Sequence, residues 1–156
     1  MATSAACLPH GIPQEGWTLD TGVIPVRFPA GSVEPGRDNP VFARLIELRC
    51  IEDGWLDGAG QAPQEVVLDW CAERLGSNLD LPVPHLYPTA EGGVQAEWTF
   101  GVHEASLEVS CEGNIIKGEW HCLDMVTDED ESRDLDLDRE WDWLAGKIAN
   151  LAKSCR

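Results

Sequence analysis

The sequence predicts an α+β fold: an antiparallel four- to five-stranded meander with a helix pair and a C-terminal helix packed on one face. Apolar residues recur at helical spacing in two segments before residue 76 and in one segment after residue 138. Between them, from Gly93 to Cys122, apolar and polar residues alternate with the period of strands that have one buried and one wet face. Short glycine-containing turns separate the alternating runs, so consecutive strands should pair as neighbours.

The first 37 residues predict an extended arm, and residues 38–156 predict a single α+β domain. The arm carries five prolines and several glycines, which disfavour helix. Within it, Thr21–Phe28 is typical of an edge strand, where proline is tolerated.

Three helices are predicted from their end signals. Asn39 can cap the first helix with Pro40 in its first turn, and Pro63 opens a second helix that ends near Leu75, before Gly76. The glycine-rich phrase "DGWLDGAGQAP" connects this pair. The phrase "LDLPVPHLYPT" that follows has enough prolines to indicate an edge strand. The third helix is "DREWDWLAGKIANLAKSCR", whose acids come first and bases later, in keeping with the helix dipole.

The turns predict how the central strands are aligned. Two-residue loops at 101–102 and 113–114 would place Gln95 opposite Glu108, and Glu108 opposite Glu119. Glu97 would then lie diagonal to Glu108, with His121 in its row. A longer first loop would instead place Glu97, Glu108 and Glu119 in one line. In either alignment the three glutamates share one solvent face, while the tryptophans of these strands point inward.

Charge narrows the class of partner. The chain has 28 acidic and 11 basic residues and a formal net charge of -17, so it should repel nucleic acid and anionic membranes and attract basic proteins. Residues 1–20 lack the features of a signal peptide, and no window approaches a membrane span. The six cysteines are scattered without zinc-like spacing. These features predict a cytoplasmic protein.

A second acidic feature follows the alternating strands. The segment Asp124–Glu140 holds nine acids and two arginines in seventeen residues. Such runs are typical of solvated turns, although "DLDLD" also suggests a carboxylate-bearing edge strand that could imitate a phosphate backbone. A calcium loop is disfavoured because the EF-hand glycine and final glutamate are missing.

Three interpretations of the acidic sheet face stay open. It could be an ordinary solvated face, a docking face for a basic partner, or a metal site in which Glu97, Glu108, Glu119 and His121 bind manganese, iron or zinc in a hydrolase. No compact metal motif such as H-E-x-x-H appears, and no catalytic set or cofactor is predicted. A structural subunit whose arm docks between protomers is a further alternative.

The leading hypothesis is a non-enzymatic inhibitor or neutraliser of the antitoxin, immunity or anti-defence type, which occludes a basic site on a toxin, a nuclease or another nucleic-acid-binding effector. Its acidic surface would steer association, and aromatic or apolar anchors would supply affinity. The predicted partner-binding residues combine carboxylates, one histidine and three anchors: Glu97, Glu104, Glu108, Glu119, His121, Asp128, Glu129, Asp130, Glu131, Asp134, Asp136, Trp55, Leu86 and Tyr87.

The phrases "DGWLDGAGQAP", "YPTAEGGVQAEW", "ASLEV" and "GEWH" occur in this order. In them the chain resembles a group of small acidic bacterial proteins over about residues 40–152. The resemblance implies an accessory protein of the kind that accompanies plasmid, prophage and defence loci. It implies no particular activity and no site residue.

Overall fold

Five antiparallel strands form one sheet in chain order, as the sequence predicts, and three helices complete the α+β fold. The computed structural model describes residues 39–155, so the predicted arm and its edge strand lie outside the described residues. The strands are β1 (His85–Pro88), β2 (Val94–Phe100), β3 (His103–Glu112), β4 (Ile115–Asp124) and β5 (Glu129–Asp136).

One face of the sheet supplies most of the apolar core. Alternate residues of β2, β3 and β4 are buried there, and Trp120 and Leu107 are fully buried at its centre. Gly118 belongs to the same face. A methyl group on Gly118 would lie 2.8 Å from Leu137, so only glycine lets that leucine pack against β4. Burial of this face is the main force that fixes which side chains of the strands point to solvent.

The predicted two-residue turns are present and set the predicted register. Phe100 pairs with His103 at the first turn, and Glu112 pairs with Ile115 at the second. Gly101 and Gly113 adopt positive φ angles of 58° and 63°, which suit such turns.

The helices begin and end close to the predicted signals. Helix α1 (Pro40–Arg49) is capped by Asn39, whose side chain accepts a 2.9 Å hydrogen bond from the Val41 N–H. Helix α2 (Glu65–Cys71) continues into a π-helical turn (Ala72–Gly76), and helix α3 (Leu137–Ser154) packs its apolar stripe against the sheet. No helix in the described part of the chain is long and apolar enough to cross a membrane.

The loop between α1 and α2 is itself ordered. Asp57 and Gly58 have φ angles of 51° and 88°, as in a type I′ turn, and they close a small bridge between Leu56 and Ala59. The loop then bonds to the segment before β2: the Gln61 N–H donates to Ala90 O at 2.8 Å, and the Gln64 N–H donates to Gly92 O at 2.9 Å.

Two elements differ from the expectation. Strand β5 begins at Glu129, before the phrase "DLDLD" that suggests an edge strand in the sequence, so much of the acidic run is strand, paired along its length with β4. The helical spacing of the second segment predicts that Val66 points inward with Val67, Trp70 and Cys71. Val66 is instead 47% exposed, because the buried side of this short helix is formed by Val67, Leu68, Trp70 and Cys71.

Candidate functional site

The sheet face opposite the helices, called the open face here, carries the polar side chains of β1 to β5 in transverse rows. Its central row runs through five directly paired positions: Tyr87, Gln95, Glu108, Glu119 and Asp134. The neighbouring row is His85, Glu97, Ser106, His121 and Ser132. The predicted opposition of Glu108 and Glu119, with His121 in the row of Glu97, is therefore present.

Three carboxylates adjoin each other in the central row. Neighbouring strands lie about 4.8 Å apart, so Glu119 has a like charge on each side, Glu108 and Asp134. Partial burial raises the pKa of Glu108, and the nearby carboxylates of Glu91 and Glu119 raise it further. The row therefore concentrates negative charge that no cation within it neutralises.

The basic groups near this row are mostly engaged elsewhere. Lys117 bonds to Glu112, although Asp134 is close enough to contribute to the raised pKa of that lysine. His121 Nε2 lies 3.9 Å from Asp130 Oδ2, and Gln95 Nε2 donates to Glu97 Oε1 at 2.7 Å. The second row therefore has a hydrogen-bond donor beside Glu97, whereas the carboxylates of the central row have none within that row.

The acids of β5 divide between its two sides. Asp130 and Asp134 lie on the open face, whereas Glu129 and Glu131 lie on the helix side, where Glu131 forms a 2.5 Å ion pair with Lys147 of α3. Asp136, on the open-face side, caps α3 by accepting from the Asp138 N–H at 3.2 Å. Asp128 lies in the β4–β5 turn with a φ of 58°. Glu104 is exposed on the open face of β3.

The three predicted anchors differ in how far their side chains are exposed. Tyr87 is 45% exposed and lies at the β1 end of the central row. Trp55 is 36% exposed, with its indole N–H bonded to Gln61 O at 3.0 Å. The prediction for Leu86 is wrong, because this side chain is 3% exposed and points into the core beside α1.

The four side chains named as a metal set do not converge. Glu108 faces Glu119, Glu97 accepts from Gln95, and His121 is directed toward Asp130. Among residues 39–155, no three His, Cys, Asp or Glu side chains are arranged to hold a metal ion. The described geometry therefore gives no support to the hydrolase alternative.

A cleft of about 600 Å³ lies at one end of the sheet beneath the second half of α3. Two ion pairs lie in its wall: Lys147 with Glu131 at 2.5 Å, and His103 Nδ1 with Asp124 Oδ2 at 3.8 Å. Burial raises the pKa of the Cys122 thiol in its wall, which disfavours the reactive thiolate. The described wall of the cleft therefore offers no activated thiol.

Two contributors to the open face, Glu91 and Gln95, are missing from the predicted partner-binding residues. Glu91 lies in the loop before β2, outside any periodic run, and approaches Glu108 because its loop is held by Gln61. Gln95 supplies the hydrogen bond to Glu97, a contact between residues two apart on one strand. The i, i+2 spacing was visible in the sequence and could have indicated the second contact.

No protein family, curated protein or solved structure matches this chain. The resemblance carried by the sequence phrases therefore stays a prediction.

Proposed function

We propose that this protein is a non-enzymatic, acidic inhibitor that occludes a basic site on a partner protein. The observation that supports it is the central row, in which Glu108, Glu119 and Asp134 stand side by side with no cation between them. Like charges placed directly across strands cost roughly 0.2–1 kcal/mol per pair, which a cationic surface would reverse on binding. Tyr87 at the end of the row would supply an aromatic anchor.

The partner class follows from the charge. A protein that grips nucleic acid presents lysines and arginines at phosphate spacing, and carboxylates on a rigid sheet can occupy those groups. A toxin, a nuclease or another nucleic-acid-binding defence effector is therefore the expected partner. Nucleic acid itself is not, because a chain with a formal net charge of -17 repels it.

The test uses the full-length protein immobilised and exposed to a lysate of the cells that encode it. We expect a basic protein to be retained at ~50 mM salt and released at ~500 mM, since screening shortens the reach of surface charges. Double-stranded DNA added to the lysate should compete with the capture.

The decisive comparison is between two triple variants of equal charge. Glu108→Gln with Glu119→Gln and Asp134→Asn removes the central row and should abolish capture. Three exposed acids away from the open face provide the control, Glu73→Gln with Asp80→Asn and Asp142→Asn, which should retain it. Equal loss in both variants would show that net charge alone acts, and retention in both would exclude the open face as the binding surface.

A further inference from the structure

The two edges of the sheet are protected differently. At the β1 edge, the outward carbonyl of Leu86 accepts a 3.0 Å hydrogen bond from Arg44 Nε. Pro88, inside the strand, and Pro84, just before it, have no backbone N–H that a further strand could use. Helix α1 contacts this strand directly. The β1 edge is therefore closed to another strand.

The β5 edge has no such cover among the described residues. In an antiparallel strand, alternate residues direct both backbone groups toward the same neighbour. The Asp136 N–H bonds to Glu140 at 2.9 Å and so points away from β4. By the same alternation, the backbone groups of Asp130, Ser132 and Asp134 point outward, and residues 39–155 supply them no hydrogen-bond partner.

The side chains along this edge have one dominant sign. Strand β5, "EDESRDLD", contains five acids and one arginine, and Arg133 is engaged by Glu140 and by the Trp143 ring, 4.3 Å from its guanidinium carbon. A second copy of the same edge would be repelled, which is how edge charges prevent aggregation. Residues 1–38 contain four acids against two arginines, so they offer this edge no net positive charge.

We infer that β5 is a strand-addition edge for a basic, extended segment of the partner protein. Backbone hydrogen bonds to Asp130, Ser132 and Asp134 would hold the segment, and its lysine or arginine side chains would lie beside the β5 carboxylates. This inference rests on the proposed function and adds the binding mode: the partner contributes a strand that extends the sheet, so each transverse row of the open face is lengthened by one residue of the partner.

The probe is an end-blocked peptide of about eight residues that alternates Arg and Thr, compared with the same peptide N-methylated at every backbone nitrogen. Both carry the same charge, but only the first can donate to the strand edge. We expect the first to bind the full-length protein at ~50 mM salt, and the methylated peptide to bind at least about tenfold more weakly, the equivalent of roughly one lost hydrogen bond.

Ser132 provides a matched pair of variants. Ser132→Pro removes the outward N–H at a position where an edge strand tolerates proline, while Ser132→Ala keeps it. We expect Ser132→Pro to weaken binding of the unmethylated peptide about tenfold or more, and Ser132→Ala to leave it within about twofold. Equal binding of both peptides by both variants would overturn strand addition while leaving charge-based docking, and so the proposed function, intact.

Amide hydrogen exchange on the wild-type protein decides the matter even if Ser132→Pro does not fold. Adding the unmethylated peptide should slow exchange at Asp130, Ser132 and Asp134. It should leave unchanged the amides of the β4–β5 turn, which already bond to Val102 and Asp124. Absence of peptide binding, or binding without this protection, overturns the inference. Protection of the same three amides before any peptide is added would also overturn it, because the edge would then already be occupied.

Discussion

Glu108→Gln should stabilise the protein at neutral pH, although it removes a charged residue from a surface. The Glu108 carboxylate is partly buried, is close to Glu91 and lies directly across from Glu119, and these three causes raise its pKa above the ordinary value for glutamate. A raised pKa means that the folded state binds the proton more tightly than the unfolded chain does. The contribution of Glu108 to stability is therefore most favourable at low pH, where the carboxyl is protonated in both states, and is lost as the pH rises through the folded-state pKa.

The size of the effect follows from the contacts. One direct like-charge pair across strands costs roughly 0.2–1 kcal/mol, and the glutamine keeps the shape of the side chain. For a domain of this size, we expect a rise in Tm of up to about 4 °C at pH 7 and ~50 mM salt. The gain should shrink in ~500 mM salt, where the repulsion is screened, and at pH 4, because a lower pH favours the uncharged form of the wild-type carboxyl.

The assay is thermal unfolding followed by circular dichroism at both pH values and both salt concentrations. Glu104→Gln is the matched control, because Glu104 lies on the same strand and face but pairs with Thr99 and Leu123. If Glu108→Gln gave no stabilisation at pH 7, or if Glu104→Gln gave as much, the central row would not store the repulsion on which the proposed function depends.

Two further predictions concern the core. Gly118→Ala should cost roughly 1–3 kcal/mol in urea unfolding, because its methyl group would lie 2.8 Å from Leu137. Gly146→Ala, on an open side of α3, should instead add roughly 0.5–1 kcal/mol, and the same sign for both would contradict the packing described. Burial raises the pKa of the Cys71 thiol to about 12, which makes it unreactive toward maleimide in the folded protein. Labelling mapped by mass spectrometry should therefore modify the exposed Cys155 in the native protein, and Cys71 only after denaturation. Labelling of Cys71 in the native protein would refute its burial.

Much of the strand register could be predicted because the determinants are local. A two-residue turn at 101–102 and another at 113–114 leave few ways to pair the flanking runs, and alternation then decides which face each glutamate occupies. Asn39 and Pro40 similarly set the start of α1 through contacts within one helical turn.

The errors occur where the deciding contacts are distant in sequence. Leu86 lies in a four-residue strand too short for its alternation to be read, and its burial depends on α1, about forty residues earlier. The acidic start of β5 does not have the composition of a strand, yet it pairs with β4 because Leu135 is buried and Glu131 meets Lys147 on α3. No local pattern around Glu129 or Asp130 could reveal that pairing.

The bonds of Gln61 and Gln64 to Ala90 and Gly92 have a consequence for the two longest phrases of the resemblance. "DGWLDGAGQAP" and "YPTAEGGVQAEW" begin some thirty residues apart along the chain, but a bridge between Gln61 and Glu91 joins their backbones. A substitution in one phrase should therefore alter which substitutions the other phrase accepts without loss of stability. Chimaeras in which both phrases are exchanged together should therefore fold, whereas chimaeras in which only one phrase is exchanged should be less stable.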